Sequence, residues 1–102
     1  MDYSFKGLKV YQLSYELAME IFELTKNFPK EEKYSLIDQI RRSSRSVCTN
    51  ISESWAKRIY IKAYVNKLTD ALGEEYETET WVYYSKDCNY IDDSVFQHLL
   101  NS

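Results

Sequence analysis

Glycine occurs twice and proline once in 102 residues, too sparsely for an all-β fold that needs a turn every few residues. With glycine only at Gly7 and Gly73, no Gly-rich loop can cradle a phosphate. Histidine occurs once, at His98, and no nucleophile stands with a base beside it. Cys48 and Cys88 lie far apart and make no C-x-x-C pair, so reduced thiols are expected rather than a zinc or redox motif. No run approaches the roughly 18 apolar residues that span a bilayer, and Met1–Val10 lacks the apolar core of a signal peptide. The expectation is a non-enzymatic cytoplasmic protein with no cofactor, metal or small-molecule substrate. What the chain does hold is 44% hydrophobic residues, ten of them Tyr. That content excludes a disordered tail and suits one helical domain over residues 1–102.

Charge of one sign is scarce only in the last third. Residues 1–30 carry four bases and four acids, and residues 31–69 carry eight bases and four acids. Residues 70–102 carry one base against eight acids, so the net charge of −3 conceals a basic middle and an acidic end. Such asymmetry fits a nucleic-acid patch, a self-complementary assembly, or helices that neutralise each other.

Hydrophobic spacing predicts four helices. The first runs from about Leu8 to Asn27 and stops at Phe28-Pro29, because the residue before proline is pushed out of the α region. It has two apolar arcs, one through Leu8, Tyr11, Tyr15, Ala18 and Phe22, the other through Val10, Leu13, Leu17, Ile21 and Leu24. So wide an apolar surface is expected to be covered on more than one side. The second helix runs from Glu31 or Tyr34 to near Trp55, with Leu36, Ile40, Val47 and Ile51 as its core arc. Beside that arc lies a polar seam of Gln39, Ser43, Ser46, Asn50 and Glu53, expected to fix helix register by hydrogen bonds.

The third helix extends from about Ile59 to Lys86, with Tyr64, Leu68, Ala71, Leu72, Tyr76, Val82 and Tyr83 facing the core. Glu75 and Glu79 fall inside that arc, whereas Asp70, Glu74, Glu77 and Trp81 share the opposite line. Asp92 or Asp93 caps a short fourth helix from Ser94 to about Asn101. At about 12 Å it is too short to cover the groove left by helices of roughly 30–40 Å. Exposed core follows, with another subunit as the expected cover.

Four stretches together carry a resemblance: Phe28-Pro29, Leu36 to Ser43, Val47 to Arg58, and Glu74 to Trp81 followed by Asp87 to Ile91. In these the chain resembles the four-helix bundle proteins encoded in 23S rRNA intervening sequences. The resemblance implies an antiparallel up-down-up-down bundle assembled as a homopentameric ring. A related branch serves as the accessory protein of diversity-generating retroelements, binding a reverse transcriptase and nucleic acid. Ser54 and Asn89 stand where such proteins often have glycine, the fourth helix is shorter than the resemblance implies, and the chain is acidic where the retroelement branch is strongly basic.

Two surfaces stand out as candidate sites. Arg41, Arg42 and Arg45 on the second helix, with Lys57, Arg58 and Lys62 beyond it, are the nucleic-acid candidates, and Tyr60 among them offers a stacking ring. Asp38, three and four residues before Arg41 and Arg42, is placed to pair with both. Glu74, Glu77 and Trp81 form the candidate subunit interface, an aromatic anchor whose acids would face Arg41 or Arg45 of a neighbouring copy. The expected function is an oligomeric scaffold or adaptor for an RNA or protein partner. The alternative is a nucleic-acid-binding accessory factor of a reverse transcriptase.

Overall fold

The computed structural model describes residues 4–101; Met1, Asp2 and Tyr3 of the N-terminal stretch, and Ser102, lie outside it. The described residues are all-α, with four helices and no strand: α1 (Lys9–Thr25), α2 (Leu36–Ala56), α3 (Ile61–Asp87) and α4 (Asp93–Leu100). Two 3-10 turns, Phe5–Gly7 and Lys30–Glu32, precede α1 and α2. The acidic start expected of the second helix is therefore a turn of its own, and α2 begins later, at Leu36. Likewise Ile59 precedes α3, whose first flanking residue is Tyr60 in an extended conformation.

Local chemistry explains the ends. At the end of α3, Asn89 takes φ 62°, its N–H reaches Lys86 O, and the Tyr90 N–H reaches Ser85 O. This is the Schellman closure, and asparagine tolerates the left-handed conformation that glycine usually supplies. Asp92 then caps α4, its Oδ1 accepting from the Val95 N–H at 2.8 Å. Ser54, at the other glycine position, stays inside α2; the chain turns only after Ala56.

Helix α2 lies between α1 and α3 and packs most extensively on α3, while α4 packs on α3. Early residues of α2 meet late ones of α3 and late meet early: Arg42 and Ser43 contact Glu77 and Thr78, whereas Asn50 contacts Lys67. The apolar core gathers at one end, where Ile21, Phe28, Leu36, Ile40, Val82, Ile91, Phe96 and Leu99 come together. Toward the other end the buried residues become small, with Cys48, Ser54 and Ala71 beside Ile51. Both cysteines are free thiols, Cys48 buried and Cys88 exposed. Among the described residues no helix is long and apolar enough to cross a membrane.

A long-range clamp closes the core-rich end. The Tyr90 hydroxyl donates to Glu32 Oε2 at 2.8 Å, and its ring leans on Phe28 with centroids 5.2 Å apart. The bond to Glu32 pushes the Tyr90 phenol up to about 12 from its ordinary 10.0. Hydrogen bonds from Ser35 and Tyr90 hold the Glu32 carboxyl below its ordinary 4.5. The signs follow by linkage. The Tyr90 contribution is complete below pH 10.0 and is lost as pH rises toward about 12, because the unfolded phenol ionises first. The Glu32 contribution is present above 4.5 and lost as pH falls. A Tyr90→Phe variant measured by urea unfolding is therefore expected to differ from the wild type by a constant amount near neutral pH. That difference shrinks between pH 10.0 and about 12; a difference that stays constant there contradicts the clamp.

Candidate functional site

The polar seam of α2 lies against α3. Thr78 Oγ1 donates to Ser43 Oγ at 2.8 Å, and both residues are buried. Asn50 donates through Nδ2 to Ser46 O at 2.9 Å and to Ser46 Oγ at 3.1 Å. Lys67 of α3 donates to Asn50 Oδ1 at 3.5 Å and pairs with Glu53 at 2.8 Å. That pairing draws the Glu53 carboxyl down and the Lys67 ammonium up. Gln39, the first seam residue, is half-buried and borders a hollow beside Trp81.

The structure divides the six basic candidates. Arg41 and Arg42 turn to different neighbours, and neither pairs with Asp38, which stays exposed. Arg41 Nε donates to Thr25 Oγ1 at 2.8 Å and its terminal nitrogen to Phe22 O at 3.2 Å. The guanidinium carbon lies 4.6 Å from the Phe22 ring centroid, and that of Arg45 lies 5.5 Å from it. Arg41 thus satisfies a carbonyl at the negative end of α1. Lysine keeps the charge but not the fork. Arg41→Lys is expected to cost about 1 kcal/mol in urea unfolding, and an unchanged midpoint would refute the bolt between α1 and α2.

Arg42 reaches across to α3, meeting Glu77 closely and Glu74 at 3.4 Å. These partners raise the Arg42 pKa, Glu77 foremost. Burial pushes the Glu74 carboxyl up, helped by the neighbouring Glu77 and opposed by Arg42. Of the line Asp70, Glu74, Glu77 and Trp81, expected to face away from the core, Asp70 is exposed, whereas Glu74, Glu77 and Trp81 are partly buried. Glu74, Thr78, Trp81 and Ser85, at 4-3-4 spacing, turn toward α2 with Ala71 and Lys67 before them. Trp81 is half-buried beside Leu36 and Gln39, and its Nε1 is buried with no hydrogen-bond partner among the described residues. Conversely Tyr76 and Tyr83, expected in the core, are about half exposed or more.

Lys57, Arg58 and Lys62 stand at the other end of α2, beyond the arginines. Arg58 stacks on Trp55 at 4.6 Å and donates to its carbonyl. Between these bases the turn into α3 exposes Ile59 by 76%, Tyr60 by 67% and Ile61 by 74%. With Val65 one turn on, they make an apolar corner edged by positive charge. Sequence reasoning missed this corner by starting the helix at Ile59. The available signal was three consecutive apolar residues, which no single helix face can bury.

On the opposite flank the expected groove is present. Its walls are α1 and α3, its floor is α2, and Leu99 and Leu100 of α4 close one end. The hollow holds about 320 Å³. Along the second arc of α1, exposure falls from 54% at Val10 and 44% at Leu13 to 0% at Ile21. On α3 it falls from 45% at Leu72 to 3% at Val82. So α4 covers one end of the groove, and Val10 and Leu13 of α1 lie beyond it. Glu75 and Glu79 line it and join no ion pair among the described residues.

Among the described residues no group of three or more His, Cys, Asp or Glu is placed to hold a metal ion. A family model described as 23S rRNA-intervening sequence protein matches residues 6–102. No curated protein matches the chain.

Proposed function

The chain belongs to the 23S rRNA-intervening sequence protein family, and from that premise we propose that it is a non-enzymatic oligomeric scaffold or adaptor. Its helices make an antiparallel up-down-up-down bundle, and copies assemble, as a homopentamer in the form the family resemblance implies, to present a repeated surface to a partner in the cytoplasm. The observation that carries this reading is the exposed corner at Ile59, Tyr60, Ile61 and Val65. Contiguous large apolar side chains ringed by charge are what an interface buries. Because Glu74 and Glu77 are engaged by Arg42 of their own chain, the proposal moves the subunit contact from the Glu74, Glu77 and Trp81 line to this corner.

Ile59 and Ile61 are mostly solvent-exposed, so replacing both with Asp should spare the fold while opposing burial of the corner. In sedimentation velocity the double variant is expected to fall to monomer with its helical circular dichroism intact. An oligomer of unchanged mass would move the contact elsewhere.

A second reading has its own support. Lys57 and Lys62 flank the exposed Tyr60, so positive charge and a stacking ring coincide, which suits a nucleic-acid-binding accessory factor of a reverse transcriptase. Binding to structured RNA would then weaken steeply with salt, and Lys57→Ala with Lys62→Ala would flatten that slope by about two phosphate contacts.

A further inference from the structure

We propose that the hollow where the start of α2 meets the end of α3 is a binding site for an alkylammonium group, a cation clothed in methyl or methylene carbon. The hollow holds about 350 Å³, and all of its walls precede α4. One wall is aromatic. The Trp81 and Tyr84 rings stand with centroids 5.6 Å apart and planes tilted by 40°, two ring surfaces at an angle rather than a flat stack. Trp81 Nε1 is buried, so the indole offers carbon to the hollow, and Leu36 adds more from α2. The face of such a ring carries the negative part of its quadrupole and attracts a cation.

The other wall supplies the sign. Glu32 is half-buried at the hollow, and its carboxylate accepts from the Ser35 hydroxyl and from the Tyr90 hydroxyl, the latter at 2.8 Å. These bonds hold it below its ordinary 4.5, so it is ionised at neutral pH. It has no ion-pair partner among the described residues, and Lys33, next to it in sequence, lies over the Tyr34 ring instead. No Lys, Arg or His lines the hollow. An anion would meet an uncompensated carboxylate there. A small, strongly hydrated cation would lose water to carbon walls that cannot replace it. A cation carrying its own apolar surface meets both the rings and the carboxylate.

The test uses the whole chain carrying Trp55→Phe, which leaves Trp81 as its one indole. It is titrated with tetramethylammonium, with choline and with the uncharged carbon isostere of choline. A saturable change in Trp81 emission is expected with both cations, and the isostere is expected to bind more weakly by about tenfold. Tyr84 is 56% exposed, so Tyr84→Leu should spare the fold while removing a ring, and it is expected to weaken the cations by about tenfold. Tyr84→Phe keeps the ring and the affinity. Glu32→Gln, whose amide oxygen can still accept from Tyr90, is expected to bring the cations level with the isostere. No saturable response, equal binding of the isostere to the unaltered hollow, or indifference to Tyr84→Leu would overturn the proposal. A trimethyllysine peptide titrated beside choline identifies the source, and either result supports the site: tighter peptide binding assigns the group to a protein side chain, tighter or equal choline binding to a free small molecule. The hollow and the apolar corner lie at opposite ends of α2, about 30 Å apart, so a monomer that binds these cations refutes the assembly reading alone.

Discussion

Ile21→Ala is expected to lower the unfolding free energy by about 2–5 kcal/mol, whereas Leu13→Ala, two turns earlier on the same stripe, costs about 1 kcal/mol or less. The two residues belong to one apolar arc of α1, so helix propensity does not separate them. What separates them is α4. Ile21 is fully enclosed where α1, α2 and α4 converge, and deleting its side chain leaves a cavity that close-packed neighbours fill only in part. Leu13 faces the uncovered groove with 44% of its surface exposed, so truncation forfeits less burial and opens no sealed void. Urea unfolding of both variants reads the comparison. Equal losses would mean that the groove is covered in solution along its whole length.

Ser43→Leu is the second large effect. Ser43 is wholly enclosed between α2 and α3, and Thr78 donates to its hydroxyl. The helices approach here because small and polar residues line both sides: Ser43, Ser46 and Asn50 from α2 against Ala71 and Thr78 from α3. A leucine must displace α3 or adopt an unfavourable rotamer, at about 1–3 kcal/mol. Ser43→Ala is expected to be nearly neutral, because Thr78 Oγ1 also lies 2.9 Å from Glu74 O and keeps an acceptor. If alanine proved as damaging as leucine, the hydrogen bond rather than the close approach would dominate the seam.

Hydrophobic spacing, the Phe28-Pro29 stop and the Asp92 cap sufficed to place four helices within a few residues of their observed ends. The groove followed from length alone, since α4 is too short for its neighbours. The faces of α3 were harder to read. Its residues toward α2 are Lys67, Ala71, Glu74, Thr78, Trp81 and Ser85, a stripe polar or small except at Trp81, while Tyr76, Tyr83 and Tyr84 are exposed. An apolar pattern cannot announce a contact made of polar groups, although both stripes share a 4-3 spacing that a search for small residues would have matched. The partners of Arg41 and Arg42 were also out of reach. Asp38 is the nearest acid in sequence, yet Thr25 and Phe22 on α1 and Glu74 and Glu77 on α3 win both guanidiniums through the packing of whole helices.

The charge gradient has a corresponding structural account. Part of the basic middle and part of the acidic end neutralise each other within one chain, at Arg42 with Glu74 and Glu77, while Lys67 and Glu53 pair within the middle itself. What stays available is separated in space, with Lys57, Arg58 and Lys62 around the apolar corner and Glu75 and Glu79 along the groove. The apolar corner and its bases carry the proposed function, rather than the −3 total.

The scaffold account rests on assembly, and sedimentation velocity of the unaltered chain across a hundredfold range of concentration, on the order of 1–100 µM, tests it most directly. The account predicts one dominant species at a fixed multiple of the monomer mass, five for the homopentamer, persisting on dilution. A monomer throughout that range would contradict it.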